Sequence, residues 1–182
     1  MTYQQLIDLN YPPGSARRVI YLSHCNAVSD LALEIARLKA LPLDPEDIRA
    51  AAMLHDIGIC LTDAPDIDCH GSEHYLRHGL LGASMIRQAG LPERWARVAE
   101  RHTGAGITDE DIDSQHLPLP HGSYMPETLL ERLVCYADKF YSKSGDMKRK
   151  TLPRVIASME RISQSTLDRF MKLHMEFGTE GL

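Results

Sequence analysis

No run of about 18 consecutive apolar residues occurs in this 182-residue chain, so no hydrophobic helical span of a membrane is expected. A basic segment followed by an apolar one is also missing at the start, and a cytoplasmic protein is the expectation. Positive charge is scarce: 20 Lys and Arg face 25 Asp and Glu, for a net charge of −5 and a pI near 6.0. That balance argues against a general nucleic-acid or acidic-membrane binder, which needs a broad basic surface, and leaves small substrates compatible. The four cysteines (Cys25, Cys60, Cys69 and Cys135) show no Cys-x-x-Cys spacing and read as reduced structural thiols. Neither an internal repeat nor a sustained alternating strand pattern is present. What is there is 43% hydrophobic content over 182 residues, enough for one domain, 1–182, with a substantial core.

The organising stretch is Ala51-Ala52-Met53-Leu54-His55-Asp56-Ile57-Gly58. Upstream, Asp44 fits an N-cap, Pro45 a first helical position, and Glu46 and Asp47 sit where the helix dipole favours anions. Ile48, Ala51 or Ala52, and His55 recur at helical spacing, which places the imidazole on the buried face. Asp56 follows about 100° further round the helix, so the pair can serve one metal each or share one. Gly58 permits the left-handed conformation that ends helices.

Other histidines and an aspartate sit in separate helix-patterned segments. Over residues 16–39, Ile20, Val28, Leu31, Ile35 and Leu38 share a face with His24, which without further ligands reads as a core histidine. Arg17 points the same way two turns earlier, either solvated or within reach of a substrate phosphate. The segment 60–71 reads as a loop. A helix starting near Ser72 would put His74 and His78 on one face, with His70 joining if it extends back that far. His74 is then a candidate proton donor or an exposed histidine. Pro92 opens a helix whose Trp95 and His102 share a face, and His102-Thr103-Gly104 closes it. Residues 105–126 have no period and read as a long loop carrying His116 and His121. Pro126-Glu127 starts a helix with Leu130, Val134 and Asp138, and a buried aspartate there needs a strong partner such as a cation. Lys139 and Lys143 read either as solvated side chains or as groups facing a phosphate. Residues 142–150 form a polar, basic break. A long amphipathic helix over 152–177 then completes the bundle or forms a contact between two copies. The fold class is all-α, a bundle of six to eight helices with a core over 16–142.

His24, the doublet His55-Asp56 and Asp138 resemble the ordered motif of the HD superfamily of metal-dependent phosphohydrolases. The doublet stands here in the longer form His-Asp-Ile-Gly that marks the HDIG subset. His78 and His102 match the extra histidines of members that hold two metals. The resemblance implies a metal set of His24, His55, Asp56, His78, His102 and Asp138, with Asp56 bridging two divalent transition-metal ions. Imidazole with carboxylate suits iron or manganese, with zinc, cobalt and nickel as alternatives. Water activated by the metals would attack phosphorus in line with the leaving oxygen, with Arg17, Lys139 or Lys143 adding charge. Adjacency to proposed ligands on a helix turns Cys25 and Cys135 away from the metals. His78-Gly79, His102-Thr103-Gly104 and Ala137-Asp138-Lys139 are similar to symmetric diadenosine tetraphosphate hydrolases, although Tyr21 stands where those proteins tend to carry an arginine. The implied partner is a small phosphate substrate, in first place a nucleotide. A mixed-valent diiron oxygenase and a non-catalytic metal-binding sensor are the alternatives.

Overall fold

Thr2 accepts the Gln5 amide N–H while the Gln5 side chain accepts that of Thr2, a reciprocal cap that starts helix α1, Tyr3–Asn10. The computed structural model describes residues 1–143 and 148–179. Ser15 caps α2, Ala16–Leu38, whose buried face carries Tyr21, His24, Cys25, Val28, Leu31 and Ile35. Asp44 caps α3, Pro45–Leu54, with Glu46 and Asp47 in its first turn as expected.

The doublet departs from expectation. Helix α3 stops at Leu54, His55 forms its C-cap, and Asp56 leaves helical geometry at φ −105° before a 3₁₀ turn over Ile57–Leu61. Gly58 does not close the helix in a left-handed conformation. A Cβ there would lie 2.3 Å from the His78 carbonyl oxygen and 2.4 Å from the Gly82 nitrogen, so the glycine permits a close approach of two backbones.

The expected loop over 60–71 folds into a two-residue antiparallel ribbon, β1 (Asp63–Ala64) against β2 (Cys69–His70), with Ala64 opposite Cys69. A helix from Ser72 does not form. His74 is extended (ψ 139°) and its Nδ1 accepts the Leu76 N–H, a local bond that competes with helix, and α4 begins at His78 and runs to Gln88. His70, His74 and His78 therefore share no helical face. Helix α5 spans Glu93–Arg101. Inside the expected loop over 105–126 lies α6, Asp109–Gln115, started by a Thr108/Asp111 capping box and ended by His116 at φ +50°. Helix α7 is Leu129–Asp138.

The expected helix over 152–177 is broken into α8, Leu152–Glu160, and α9, Gln164–Phe177, because Ser163 takes the Thr166 N–H as a new N-cap. Part of the expected break over 142–150, residues 144–147, lies outside the described residues. The described residues thus hold nine α-helices rather than six to eight, and the all-α class stands.

Two apolar clusters build the core. One gathers Val28, Ile35, Leu133, Phe140, Phe170 and Phe177, and the other Leu6, Tyr11, Leu54, Ile57, Ile86 and Ala99. Helices α2, α3 and α5 contribute to both: Val28, Ile48 and Val98 to the first, Cys25, Leu54 and Ala96 to the second. Val155, Met159 and Leu173 are buried in the first cluster, so the C-terminal stripe completes the bundle. Among the described residues no helix is long and apolar enough to cross a membrane.

Candidate metal centre

Four of the six proposed ligand residues stand at or beside helix ends. His55 caps α3, His102 caps α5, Asp138 is the last residue of α7, His78 is the first of α4, and His24 alone sits mid-helix, on α2. Asp56 follows His55 outside the helix. The C-terminal ends of α3, α5 and α7 thus converge on one region, and the negative ends of their dipoles favour a cation there.

The side chains fall into two groups around Asp56: His24, His55, Asp56 and Asp138 form one, and Asp56, His78 and His102 the other, all buried. Asp56 Oδ2 lies 3.2 Å from His24 Nε2 and 3.0 Å from His55 Nε2, while Asp138 Oδ1 is 3.1 Å and 3.4 Å from the same nitrogens. Asp56 Oδ1 lies 3.4 Å from His78 Nε2 and 3.3 Å from His102 Nε2. Each carboxylate oxygen of Asp56 faces its own set of imidazoles. Ligand atoms about 2.1 Å from a metal ion and at right angles are about 3.0 Å apart, so these separations suit the edges of coordination polyhedra.

Hydrogen bonding decides how the nitrogens point. The Nδ1–H groups of His55, His78 and His102 donate to the carbonyls of Ala52 (2.6 Å), Tyr75 (2.7 Å) and Ala99 (2.8 Å), each three residues back. For the neutral rings of His78 and His102 that fixes the tautomer and turns a bare Nε2 inward, the orientation metal-binding histidines use, and the Nε2 of His55 faces inward likewise. His78 and His102 are both held neutral: burial and the neighbouring His102 push His78 down to about 3, and burial lowers His102. Their Nε2 lone pairs nevertheless face each other at 3.0 Å, a repulsive arrangement that a cation between them relieves. Both oxygens of Asp56 are buried with no hydrogen bond of good geometry. These donors fit divalent transition-metal ions on chemistry as well as spacing.

The charges around the first group agree. Burial alone would raise Asp56 and Asp138; His55 and Lys143 beside the first, and Lys139 and Lys143 beside the second, hold both well below the usual carboxylate range. At His55 burial disfavours the imidazolium, but Asp56, Cys25 and Asp138 together outweigh it and the group is raised. Lys139 Nζ, buried, lies 2.8 Å from Asp138 Oδ2 and donates to the His102 carbonyl at 2.9 Å, tying the two groups together. Lys143 Nζ lies 2.8 Å from Asp56 Oδ2.

Both lysines open onto a cleft of about 570 Å³ lined also by Asp138, Tyr75, Tyr141 and Lys150. Lys150 was not singled out by sequence; the basic run Lys148-Arg149-Lys150 before α8 was the available signal. Its ammonium contacts the carbonyls of Lys139 and Tyr141 at 3.4 Å and 3.3 Å and has no carboxylate partner among the described residues. Arg17 lines a narrower cleft with His24, Asp56 and Lys143, and its backbone N–H donates to Asp68. Tyr11, also missed, donates its hydroxyl to the carbonyl of Ile57 and accepts the Cys60 N–H, pinning the turn after the doublet.

His74 is exposed and lies outside both groups. His70 and His121 pair with surface aspartates, and His116 caps α6. Cys25 and Cys135 belong to neither group, and burial pushes both thiols up, Cys135 to about 11.

Residues 21–142 match the HD domain family. An uncharacterized protein of Methanocaldococcus jannaschii is 37% identical over 143 residues, 77% of this chain and 75% of that protein. Two chains named tRNA (cytidine(56)-2′-O)-methyltransferase are each 32% identical: that of Thermoplasma volcanium over 97% of this chain and 46% of its own length, that of Picrophilus torridus over 88% and 42%. This chain therefore spans less than half of either methyltransferase-named protein. No solved structure gives a significant match.

Proposed function

The chain belongs to the HD-domain family, and from that premise we propose that it is a metal-dependent phosphohydrolase of the HDIG kind, acting on a nucleotide or another small phosphate ester or anhydride. The observation that carries the reading is Asp56, whose two buried oxygens each face a separate set of histidines. Such a carboxylate suits a pair of ions, iron or manganese first and zinc, cobalt or nickel otherwise. When bound, the metals would supply Lewis acidity toward phosphoryl oxygens and an acidified water as nucleophile.

The chain's own residues do the rest. Asp56 joins the two ligand groups and orients the nucleophile side of the site. Lys143 and Arg17 neutralise phosphate charge, with Lys150 added at the mouth of the cleft. Lys139 holds Asp138 and the His102 backbone in register while lining the same cleft. His74 is the proposed proton donor to the leaving oxygen: its Nδ1 accepts the Leu76 N–H, which leaves Nε2 to carry the proton. A cleft of about 570 Å³ supports a nucleotide-sized substrate, and the match to diadenosine-polyphosphate-hydrolase patterns at His78-Gly79 and Ala137-Asp138-Lys139 supports anhydrides among the candidates.

The test is metal content of protein purified without chelator, together with phosphate release from mono- and dinucleotides with and without oxygen. Near two equivalents and anaerobic release are expected. Activity confined to oxygen with two irons would move the reading to an oxygenase, and less than one metal without turnover to a sensing bundle. The likeness to two chains named for a tRNA methyltransferase, over 97% and 88% of this one, favours a narrower second reading, a phosphate group carried on tRNA as substrate. Adding tRNA with a terminal phosphate to the panel decides it.

A further inference from the structure

Next to the lysine-lined cleft lies a second cavity, of about 240 Å³, with a different chemistry. Its apolar lining is Leu76, Ile107, Leu117 and Ile162, beside the Asp111–Arg169 ion pair and the hydroxyls of Thr103 and Thr166. Gln115 of α6, which is exposed, lines it as well and offers its amide to an occupant. No lysine lines it.

The two cavities adjoin, because Gly104 and Ile162 line both. Gly104 is in the left-handed region (φ +60°), and a Cβ there would meet nothing nearer than the Gly106 carbonyl at 3.9 Å. The floor between the cavities is bare backbone beside open space. Ile162, 46% exposed at the α8–α9 break, is a large apolar residue that the core does not use. The outer wall is held in place by Arg169 of α9, whose Nη2 donates to Asp111 Oδ2 of α6 at 2.8 Å and to the Gly106 carbonyl at 3.2 Å.

We infer that this second cavity is a nucleobase subsite, so that the substrate of the site proposed above is a nucleoside phosphate with its phosphates among Lys143 and Lys150 and its base between α6 and α9. The inference rests on the phosphohydrolase reading for what occupies the first cleft. A lysine-lined section followed by a mainly apolar slot with amide, hydroxyl and paired charged groups in its lining matches a ligand that is anionic at one end and flat, apolar-faced and polar-edged at the other. A purely aliphatic tail would make no use of Gln115.

The test compares two hydrolysis-resistant probes on the manganese-loaded protein by calorimetry: methylenediphosphonate, and its adenosine ester, adenosine 5′-(α,β-methylene)diphosphate. The adenosine ester is expected to bind at least about tenfold more tightly. Leu117→Trp, which fills the slot, is expected to abolish that preference, and Gln115→Ala, a surface change that leaves folding intact, to reduce it severalfold. Equal binding of the two probes by the wild-type protein would overturn the subsite, as would an unchanged preference in both variants. Preference for the adenosine ester without phosphate release from any nucleotide would keep the subsite and sink the hydrolase reading instead.

Discussion

At the scale of single residues, Asp56 Oδ2 is contested. The oxygen that faces His24 and His55 also lies 2.8 Å from the Lys143 ammonium. A cation at that position and the ammonium compete for one carboxylate, so removing the lysine should favour the metal. Lys143→Met is expected to tighten manganese binding about tenfold, measured by competition with a chelator, while kcat/KM for a nucleotide falls. Weaker metal binding in the variant would show that the lysine supports the site from outside. Lys139 makes the opposite prediction. Its Nζ bridges Asp138 and the His102 carbonyl, and breaking a buried pair costs about 3–5 kcal/mol. Lys139→Met should lose both stability in urea and metal affinity; a loss of activity alone would return Lys139 to substrate contact. The ordered likeness to the HD motif pointed to the imidazoles, because a histidine on an apolar helical face, as at His24, reads alone as a core residue. The sequence did not show the lysines as buried, since a four-carbon stem reaches across elements to partners that periodicity cannot identify.

At the scale of elements, the doublet works because the chain leaves helical geometry at Asp56 and passes within backbone contact of α4. Gly58→Ala would drive a methyl group against the His78 carbonyl and the Gly82 nitrogen, backbone atoms that cannot turn aside. The expected loss is about 3 kcal/mol of unfolding free energy with reduced metal binding, and a change within about 0.5 kcal/mol, the range of neutral surface substitutions, would contradict the close packing. This role of Gly58 was hidden because a glycine after a helix carries the same signal whether it turns the chain or admits a neighbour. The break between α8 and α9 was hidden likewise, its apolar spacing running on through a serine that caps. A second junction joins α5 to α7. Glu131 takes the Arg97 guanidinium at 2.7 Å and the Glu127 N–H at 2.8 Å. Burial pushes Glu131 up, but Arg97 and the Glu127 amide hold it below the usual range. A depressed folded pKa contributes stability that is present above the unfolded value, about 4.3, and lost as pH falls through the folded one. Glu131→Gln should therefore be less stable than wild type near pH 6, with the gap closing as the pH falls below 4.3. A gap independent of pH would mean that charge is not what the junction uses.

At the scale of the whole molecule, the candidate ligands come from five segments between residues 24 and 138 and meet only in the folded chain. The unfolded chain cannot reproduce that constellation, so metal binding must appear as folding stability. The three helix C-termini that converge there add to the effect, since without a cation their negative ends face one another and two bare imidazole nitrogens. The all-α class was legible because His24 and Asp138 lie on segments with apolar stripes, and the expected convergence came from the likeness to the HD motif. The depth of the coupling was not legible, because it arises from helix ends meeting in space. With metal at about 100 times its dissociation constant, linkage gives about 2.7 kcal/mol. For a domain of this length each kcal/mol moves the midpoint by about 2–4 °C, so chelation should lower the thermal midpoint by about 5–10 °C and manganese should restore it. His24→Gln, which removes one nitrogen from the first group, should show a smaller chelator shift than wild type. If chelation leaves the midpoint of the wild-type protein unmoved although metal was bound beforehand, the cluster holds its shape without the ions. The facing lone pairs of His78 and His102 would then have to be reconciled by protonation of one ring, against the burial that holds His78 near 3.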